Sequence, residues 1–190
     1  GATEANVRIE GSTFVFEHNG EDFTEEHFAS LCRVGYSNKR ALHTIGFRGI
    51  GFKSTFSIGD HVELLTPTLA VSFERHRFTE PRWLKVGPRA DGKTCVRVVI
   101  SDEHRRSEVE KNLNEWLESP SSLLFFKNIR RIEINERFIH WNVLKPGPVP
   151  DSEWIALNDK EQPVLLIRSE AASFPEEALD EIRQERTLED

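Results

Sequence analysis

Alternating apolar and polar residues mark much of this 190-residue chain as short β-strands separated by turns. The clearest case is a β-hairpin, predicted for residues 7–10 and 14–17 because the turn-forming trio Gly11-Ser12-Thr13 lies between them. The same pattern predicts strands at residues 61–66, 70–74, 83–86 and 94–101, and two further hairpins, 129–135 with 138–143 and 154–157 with 164–168.

Two helices are predicted between the first hairpin and the later strands. Thr24 is placed to cap the first helix, because Glu25 and Glu26 follow it and negative charge suits the positive end of a helix dipole. Gly35 would end this helix. Residues 49–58 are predicted to form the second helix, entered through glycines.

A third helix is indicated by the sequence Ser107-Glu108-Val109-Glu110, which has the spacing of a capping box. The helix is expected to begin at Ser107, to run to about residue 118, and to turn Val109, Leu113, Trp116 and Leu117 inward. A Pro/Gly-rich connector follows at residues 145–150, and residues 175–186 are predicted to form a charged closing helix.

The order of these elements indicates the fold class. Strands outnumber helices, and the helices do not alternate regularly with the strands as they do in a doubly wound sheet. We therefore expect an α+β protein in two layers, with a mixed, mostly antiparallel sheet and helices over one face. Residues 1–118 would form the core, while residues 119–190 would extend the sheet and connect outward. Phe125, Phe126 and the four tryptophans are predicted to lie in the interior.

Composition narrows the function classes. A hydrophobic fraction of 37% allows a packed core, and a net charge of −7 opposes a nucleic-acid-coating surface, although short basic clusters occur at residues 75–77, 104–106 and 127–131. Cys32 and Cys95 are widely separated and suit a reduced cytosolic protein. Because no apolar run reaches the length of a membrane span and no secretory leader is recognisable, we expect a cytoplasmic location without membrane contact.

The segment with the strongest chemical signal is Ile45-Gly46-Phe47-Arg48-Gly49-Ile50-Gly51-Phe52-Lys53-Ser54. Glycines at a helix start let the backbone approach a ligand, and the free N–H groups there bind phosphate. Lys53 would add positive charge. The segment is not a P-loop, since Phe52 separates Gly51 from Lys53, and it is not a Rossmann fingerprint, since Ser54 stands where a glycine is needed. The alternative interpretation is a glycine-rich turn that only permits tight packing.

Three segments in the same order resemble the motifs of GHKL ATPases, the class that contains gyrase, MutL, histidine kinases and the heat-shock chaperones. The stretch from Phe14 to Phe23 is similar to their strand and DxGxG segment, the Gly46–Ser54 stretch to their GxxGxG segment, and Gly92-Lys93-Thr94 to their later Gly-Thr element. The segments GFRGIGFKSTF, VGYSNK and LLFFKNIRRIEI resemble sequences of the sacsin-like branch of the class, and the similarity extends to about Asn142.

This resemblance implies a Bergerat-type ATP-binding fold and a set of nucleotide-binding residues. His18 stands where the class has the aspartate that reads the adenine amino group, and Asp22 stands in place of a glycine. The full set of implied nucleotide-binding residues is His18, Gly20, Phe23, Ser37, Lys39, Gly46, Gly49, Gly51, Phe52, Lys53, Ser54 and Thr94. Histidine can accept a hydrogen bond from adenine only through an unprotonated ring nitrogen, and a plain turn histidine is the equal alternative.

The resemblance also implies that the catalytic glutamate and the magnesium-ligating asparagine lie on a helix that ends in a DAGAT-like run. Since this chain opens with Gly1-Ala2-Thr3 and contains no methionine, we expect that helix to precede it in a larger polypeptide. On this interpretation no residue of the chain is catalytic or a metal ligand, and the chain alone does not hydrolyse ATP.

The function expected from this resemblance is that of an ATP-binding module. The parent protein would be a Mg-dependent ATPase of the sacsin-like, chaperone-like kind that couples ATP binding and hydrolysis to conformational change or to homodimerisation. The main alternative is an interaction module that has kept the fold and lost the nucleotide, which His18 and Asp22 favour. A DNA clamp of the MutL or gyrase type is a third possibility, opposed by the negative charge.

Overall fold

A computed structural model describes residues 1–33, 51–126, 128–158, 162–169, 175–178 and 180 of the chain. The α-helices are α1 (Glu25–Leu31) and α2 (Glu103–Glu118), and three 3₁₀ segments lie at Phe52–Ser57, Arg75–Arg77 and Pro120–Phe125. The strands are β1 (Glu4–Glu10), β2 (Thr13–His18), β3 (His61–Leu65), β4 (Ala70–Glu74), β5 (Arg82–Trp83), β6 (Thr94–Val99), β7 (Arg131–Ile134), β8 (Arg137–Pro146), β9 (Ser152–Leu157) and β10 (Val164–Ile167). None of the helices in these described ranges has both the length and the apolar character that a bilayer crossing demands.

The strands form one sheet in the order β10-β9-β8-β7-β1-β2-β6-β3-β4-β5. Neighbouring strands are antiparallel except for β1 and β7, which run parallel. The predicted α+β class with a mixed, mostly antiparallel sheet is therefore confirmed. Because β7 pairs with β1, the predicted extension after residue 118 continues the same sheet as the predicted core.

The three predicted hairpins are confirmed, as β1 with β2, β7 with β8, and β9 with β10. Two of them have turns with positive φ angles, as tight turns between twisted strands require. Gly11 has a φ of 59°, and Asn135 and Glu136 have φ angles of 45° and 66°. Of the predicted closing helix, only residues 175–178 and 180 are described.

Register divides the sheet into two chemically different faces. One side, here called the apolar face, carries Ala5, Val7, Phe16, Val98 and Ile132. The opposite side, here called the charged face, carries Arg8, Glu17, Glu63, Arg97 and Glu133. Residues directly opposite each other on neighbouring strands point to the same face, which is why each face is continuous across the strands.

Helical segments cover the apolar face in two clusters. One cluster packs α2 and the 3₁₀ segment Pro120–Phe125 against β7, β8 and β9, with Leu123, Ile139 and Ile155 fully buried. The other packs α1 and the 3₁₀ segment Phe52–Ser57 against β3, β4 and β6, with Val62 and Phe73 fully buried. In the described part of the protein, helical segments thus pack on the apolar face of the sheet.

The first helix begins as predicted. Thr24 Oγ1 accepts a hydrogen bond from the His27 backbone N–H at 3.2 Å, and His27 Nδ1 accepts one from the Thr24 N–H at 3.3 Å. This reciprocal pair is a capping box that uses histidine at the third helical position. Gly35, the predicted end of the helix, lies outside the described residues, and α1 itself ends at Leu31.

The predicted start of α2 is wrong by four residues. The helix begins at Glu103, because Asp102 Oδ1 accepts a hydrogen bond from the Arg105 N–H at 2.8 Å and caps it there. Ser107 and Glu110 therefore lie inside the helix. Residues 103–106 are compatible with a helix, so the cap at Asp102 extends α2 upstream of the capping-box sequence. The inward placement of Leu113, Trp116 and Leu117 is confirmed.

The predicted helix at residues 49–58 differs in type where it is described, from Gly51 onward. Residues 52–57 form a 3₁₀ helix, with the Ser54 N–H donating to Gly51 O at 3.3 Å. The Ser54 and Thr55 hydroxyls each donate to the carbonyl three residues earlier, at 2.6 Å, and so compete for the acceptors of a regular α-helix.

The prediction that Phe125, Phe126 and the four tryptophans lie in the interior is wrong at two positions. The side chain of Phe125 is 85% exposed and that of Trp83 is 69% exposed. Within the Pro120–Phe125 segment Leu123 takes the interior position, so Phe125 turns outward. Trp83 lies on the two-residue edge strand β5 and contacts Phe28 at a ring-centroid distance of 5.9 Å.

Candidate functional site

The structure describes eight of the twelve predicted site residues. His18 ends β2, Gly20 and Phe23 lie in the following loop, Gly51 to Ser54 surround the start of the 3₁₀ helix, and Thr94 begins β6. The other four, Ser37, Lys39, Gly46 and Gly49, lie outside the described residues.

His18 is held in one orientation by the loop that follows it. The Gly20 N–H donates to His18 Nδ1 at 3.0 Å. A side chain at position 20 would bring a Cβ atom to 3.0 Å from that nitrogen and 3.2 Å from the Ala2 backbone nitrogen, so a larger residue there would crowd this contact. Burial lowers the pKa of His18, which keeps the ring neutral at pH 7.

The Gly20 contact determines which ring nitrogen of His18 carries the hydrogen. A neutral imidazole has one acceptor nitrogen and one N–H donor. Since Nδ1 accepts from Gly20, Nε2 is the donor. The sequence-based hypothesis assigned an acceptor to His18 for the adenine amino group, and in this structure the acceptor nitrogen is already bonded to the backbone.

Thr94 lies beside His18 on the neighbouring strand. The two residues are direct partners in the antiparallel pairing of β2 and β6 and point to the same face of the sheet. Thr94 is 1% exposed, and its hydroxyl has no hydrogen-bond partner among the residues that the structure describes. A buried polar group without a partner is rare in proteins, and a ligand or an ordered water is a common reason for one.

A small cavity reaches His18 at the ends of the strands. It has a volume of about 200 Å³ and is lined by Ala5, His18, Asn19 and Lys93, among others. Whole small ligands occupy pockets of about 300–1,000 Å³, so this cavity accommodates only a part of a nucleotide. His18 lines this cavity together with several charged residues, whereas Thr94, its neighbour on β6, is buried and does not line it.

Lys53 is bound by the protein itself in this structure. Its ammonium group donates to the backbone carbonyls of Leu31 and, at 2.7 Å, Phe78. The same group lies 5.2–5.6 Å from the ring centroids of Phe52, Phe73 and Phe78. Burial lowers the pKa of Lys53. Leu31 is the last residue of α1, so the cation satisfies one of the free carbonyls at a helix end.

The remaining described site residues have packing and turn contacts. Phe23 and Phe52 belong to the apolar cluster around Phe73. Asp22, which stands where the motif that this segment resembles has a glycine, anchors the loop. Burial tends to raise its pKa, but hydrogen bonds from Thr66 and Thr68 outweigh that effect and the pKa of Asp22 is lowered. Sequence reasoning missed this contact, because Thr66 and Thr68 lie more than forty residues away.

Metal binding by the protein alone has no support in the described ranges. Within them, no group of three or more histidine, cysteine, aspartate or glutamate side chains is arranged to hold a metal ion. The predicted magnesium ion therefore remains an expectation from the resemblance.

Comparison with known proteins adds no family assignment. No protein-family model matches the chain, and no curated protein matches it with statistical significance.

Proposed function

We propose that this chain is the ATP-binding module of a larger GHKL-type, sacsin-like ATPase with the Bergerat-type sandwich fold. In the whole protein, binding and Mg-dependent hydrolysis of ATP would drive a conformational or dimerisation cycle. Water activation and magnesium ligation are assigned to residues outside this chain.

The observation that carries the proposal is the pairing of His18 with Thr94. These residues come from two of the three motif segments and lie side by side on adjacent strands. Between them they present an N–H donor and a buried hydroxyl without a described partner. An apolar interior does not keep such a hydroxyl for stability, because an unpaired buried hydroxyl costs about 1–3 kcal/mol. A heterocyclic ligand with polar atoms along one edge would supply the missing partner once the groups that cover Thr94 move aside, since its side chain is 1% exposed.

Phosphate binding is assigned to the glycine segment that ends at Ser54. From Gly51 onward the segment leads into a helical turn, and a Cβ atom at Gly51 would meet no other atom within 4 Å. Space at Gly51 is therefore compatible with a ligand close to its backbone. Lys53 takes part in phosphate binding only if its ammonium group leaves the carbonyls of Leu31 and Phe78.

One observation favours the alternative, an interaction module without nucleotide. The Lys53 ammonium donates to two backbone carbonyls and lies close to three aromatic rings, which is a structural role that needs no phosphate. Under this alternative the glycines serve packing. Gly59 is such a packing glycine, because a Cβ atom there would lie 1.8 Å from the Val99 carbonyl oxygen.

Titration calorimetry with MgATP on the wild-type chain and on Thr94→Val tests the proposal. Valine keeps the shape of threonine and removes only the hydroxyl, so we expect affinity for ATP to fall by about 1–1.5 kcal/mol without loss of folding. Thr13→Val is the matched control, since Thr13 lies on the opposite face of β2. Absence of any heat of binding with both ATP and tripolyphosphate would favour the interaction module instead.

A further inference from the structure

The two edges of the sheet differ in how they are protected against pairing with a further strand. The strand order places β5 at one edge and β10 at the other. β5 has only two residues, Arg82 and Trp83, and Pro81 precedes it. An edge strand that is short, carries a charge and lies next to a proline is poorly suited to pair with another chain. β5 therefore has the features with which proteins block an edge.

The opposite edge is built differently. β10 (Val164–Ile167) consists of four apolar residues with no charge or proline among them. The side chain of Ile167 is 58% exposed, and Val164 is exposed as well. Val149 is a further exposed residue at the Ile167 end, because its N–H donates at 3.2 Å to the hydroxyl of Ser152, which is the partner of Ile167 on β9. An exposed apolar edge strand of this kind is a site for pairing with another strand.

The hydrogen bonds between β10 and β9 determine which backbone groups face the open side. The Arg168 N–H donates to the Asp151 carbonyl oxygen at 2.9 Å. Hydrogen-bonded and non-hydrogen-bonded pairs alternate along an antiparallel ladder, so Leu166 also directs its N–H and C=O groups to β9. The N–H and C=O groups of Leu165 and Ile167 therefore point away from β9, to the side where no described strand pairs with β10.

We propose that β10 is a dimerisation strand, which pairs antiparallel with β10 of a second copy of this chain and joins the two sheets. A two-fold axis perpendicular to the sheet keeps each face on its own side, so a residue meets itself or one an even number of positions away. The register that places Leu165 opposite Ile167 of the second copy meets this condition. It forms four backbone hydrogen bonds between the outward groups and places the two Leu166 residues opposite each other on the axis.

A second copy is the partner that β10 fits, because the strand is complementary to itself. In this register the outward donors of one copy meet the outward acceptors of the other, and Leu165 meets the apolar Ile167. The strand itself carries no charge. Arg168, which follows it, is paired with Glu153 of the same chain at 2.6 Å, so this cation is neutralised within each copy and does not repel its equivalent.

The strength of association follows from the size of the contact. A pair of four-residue strands buries less than the roughly 1,200 Å² of a standard interface, so we expect a weak, concentration-dependent dimer. The proposal does not rest on nucleotide binding and is tested without nucleotide. Sedimentation velocity of the wild-type chain should show mainly monomer at about 5 µM and mainly dimer at about 500 µM, as a micromolar dissociation constant requires.

Two substitutions of Ile167 test the strand in different ways. Ile167→Lys places a charge on the edge, as natural edge strands do. Ile167→Pro removes an N–H that points outward and leaves the ladder to β9 in place. Each should raise the dissociation constant of the dimer at least about tenfold. Val86→Lys is the matched control, since Val86 is 59% exposed and lies near the β5 edge, and it should change the constant by less than about twofold. Circular dichroism and thermal unfolding confirm that each variant is folded.

Cross-linking tests the register. In a Cys32→Ser background, Leu166→Cys should give a disulfide-linked dimer under mild oxidation, because directly opposite residues of a non-hydrogen-bonded pair have a Cα separation of about 4.5 Å, which suits a disulfide. Leu165→Cys is the control and should link poorly, because its opposite residue is Ile167 and not another residue 165. The reverse result would overturn this register.

The remaining outcomes decide the proposal itself. A wild-type chain that is monomeric at every concentration would overturn it and would favour a strand from another protein as the occupant of the edge. A dimer that survives both Ile167→Lys and Ile167→Pro would also overturn it, since the contact would then lie elsewhere. Because no nucleotide is present, neither result bears on the proposed binding of ATP.

Discussion

The two faces of strands β2 and β6 handle polar groups in opposite ways. On the charged face Glu17 accepts hydrogen bonds from Arg8 and, at 2.5 Å, from Arg89, so its carboxylate is paired although its side chain is only 12% exposed. One residue further along, on the apolar face, the Thr94 hydroxyl is buried and has no described partner. The same two strands thus carry a satisfied ionic group and an unsatisfied neutral one.

This contrast distinguishes a buried polar group whose partners offset the cost of its burial from one that has no described partner. Pairing with two guanidinium groups offsets the cost of burying Glu17. Nothing described offsets the cost at Thr94, and this is the pattern that the proposed nucleotide-binding function would explain. Four experiments test these differences in burial and in pairing.

The largest effect is expected in the core beneath the apolar face. Phe73 is fully buried and contacts Phe52 edge-on at a centroid distance of 5.2 Å. Phe73→Ala should lower the free energy of unfolding by about 3–5 kcal/mol, because it leaves a cavity. Urea denaturation measures the loss. Phe125→Ala is the control and should change stability by less than about 0.5 kcal/mol, since that ring is exposed. Equal losses would show that the two rings do not differ in burial as described.

Loss of the paired carboxylate should have the next largest effect. Burial tends to raise the pKa of Glu17, but Arg8 and Arg89 outweigh it and hold that pKa below its ordinary value of 4.5. Glu17→Gln should lower the free energy of unfolding at pH 7 by about 1–3 kcal/mol, since the guanidinium groups lose a charged partner. Denaturation at pH 7 measures this loss.

The pH dependence of the Glu17 effect follows from linkage. A depressed folded-state pKa contributes stability above 4.5, and this contribution is lost as the pH falls through the folded-state value. The difference between wild type and Glu17→Gln should therefore shrink below pH 4.5. Glu10→Gln is the control, because Glu10 contacts Arg8 at 2.6 Å on the surface and should contribute less than about 1 kcal/mol. A difference that stays constant down to acid pH would show that the ion pair does not stabilise the fold.

The unsatisfied hydroxyl should give a smaller effect of opposite sign. Thr94→Val should raise the free energy of unfolding by about 1 kcal/mol in the absence of nucleotide, because a buried hydroxyl without a partner is removed. Thr66 is the matched control. It is equally buried, but its hydroxyl accepts from the Thr68 and Leu69 N–H groups at 3.2 and 3.0 Å. Thr66→Val should destabilise. Destabilisation by both substitutions would indicate that Thr94 has a partner within the protein.

The reactivity of the two cysteine thiols measures how accessible they are in the native protein. Cys95 is buried on the charged face, and burial, with the Glu17 carboxylate, raises its pKa to about 11. Cys32 is half-buried, and burial also raises its pKa. With a thiol-specific reagent at pH 8 we expect Cys32 to react in the native protein and Cys95 only after unfolding. In Cys32→Ser the native protein should be unreactive. Rapid labelling of Cys95 would show that the charged face opens at this strand.

Much of the local structure was predictable from the sequence. The three hairpins and the Thr24 cap follow from turn residues and alternating patterns that act over a few positions. Where several local signals compete the sequence is less decisive, as at α2, whose cap is Asp102 and not Ser107. The 3₁₀ geometry at residues 52–57 likewise depends on side-chain hydroxyl bonds that a periodicity does not reveal.

The sequence by itself determined which residues are candidates for ligand binding, because the order and spacing of the glycines, His18 and Lys53 can be read directly from it. Only the tertiary structure decided the burial of these residues and the partners of their polar groups. The nitrogen of His18 that carries hydrogen depends on Gly20, and the lack of a described partner for Thr94 depends on how β6 pairs with β2. The position of the Lys53 ammonium depends on Leu31 and Phe78, both more than twenty residues away. Burial and partner choice are set by segments that are distant in the chain, and the energy of a polar group depends on both.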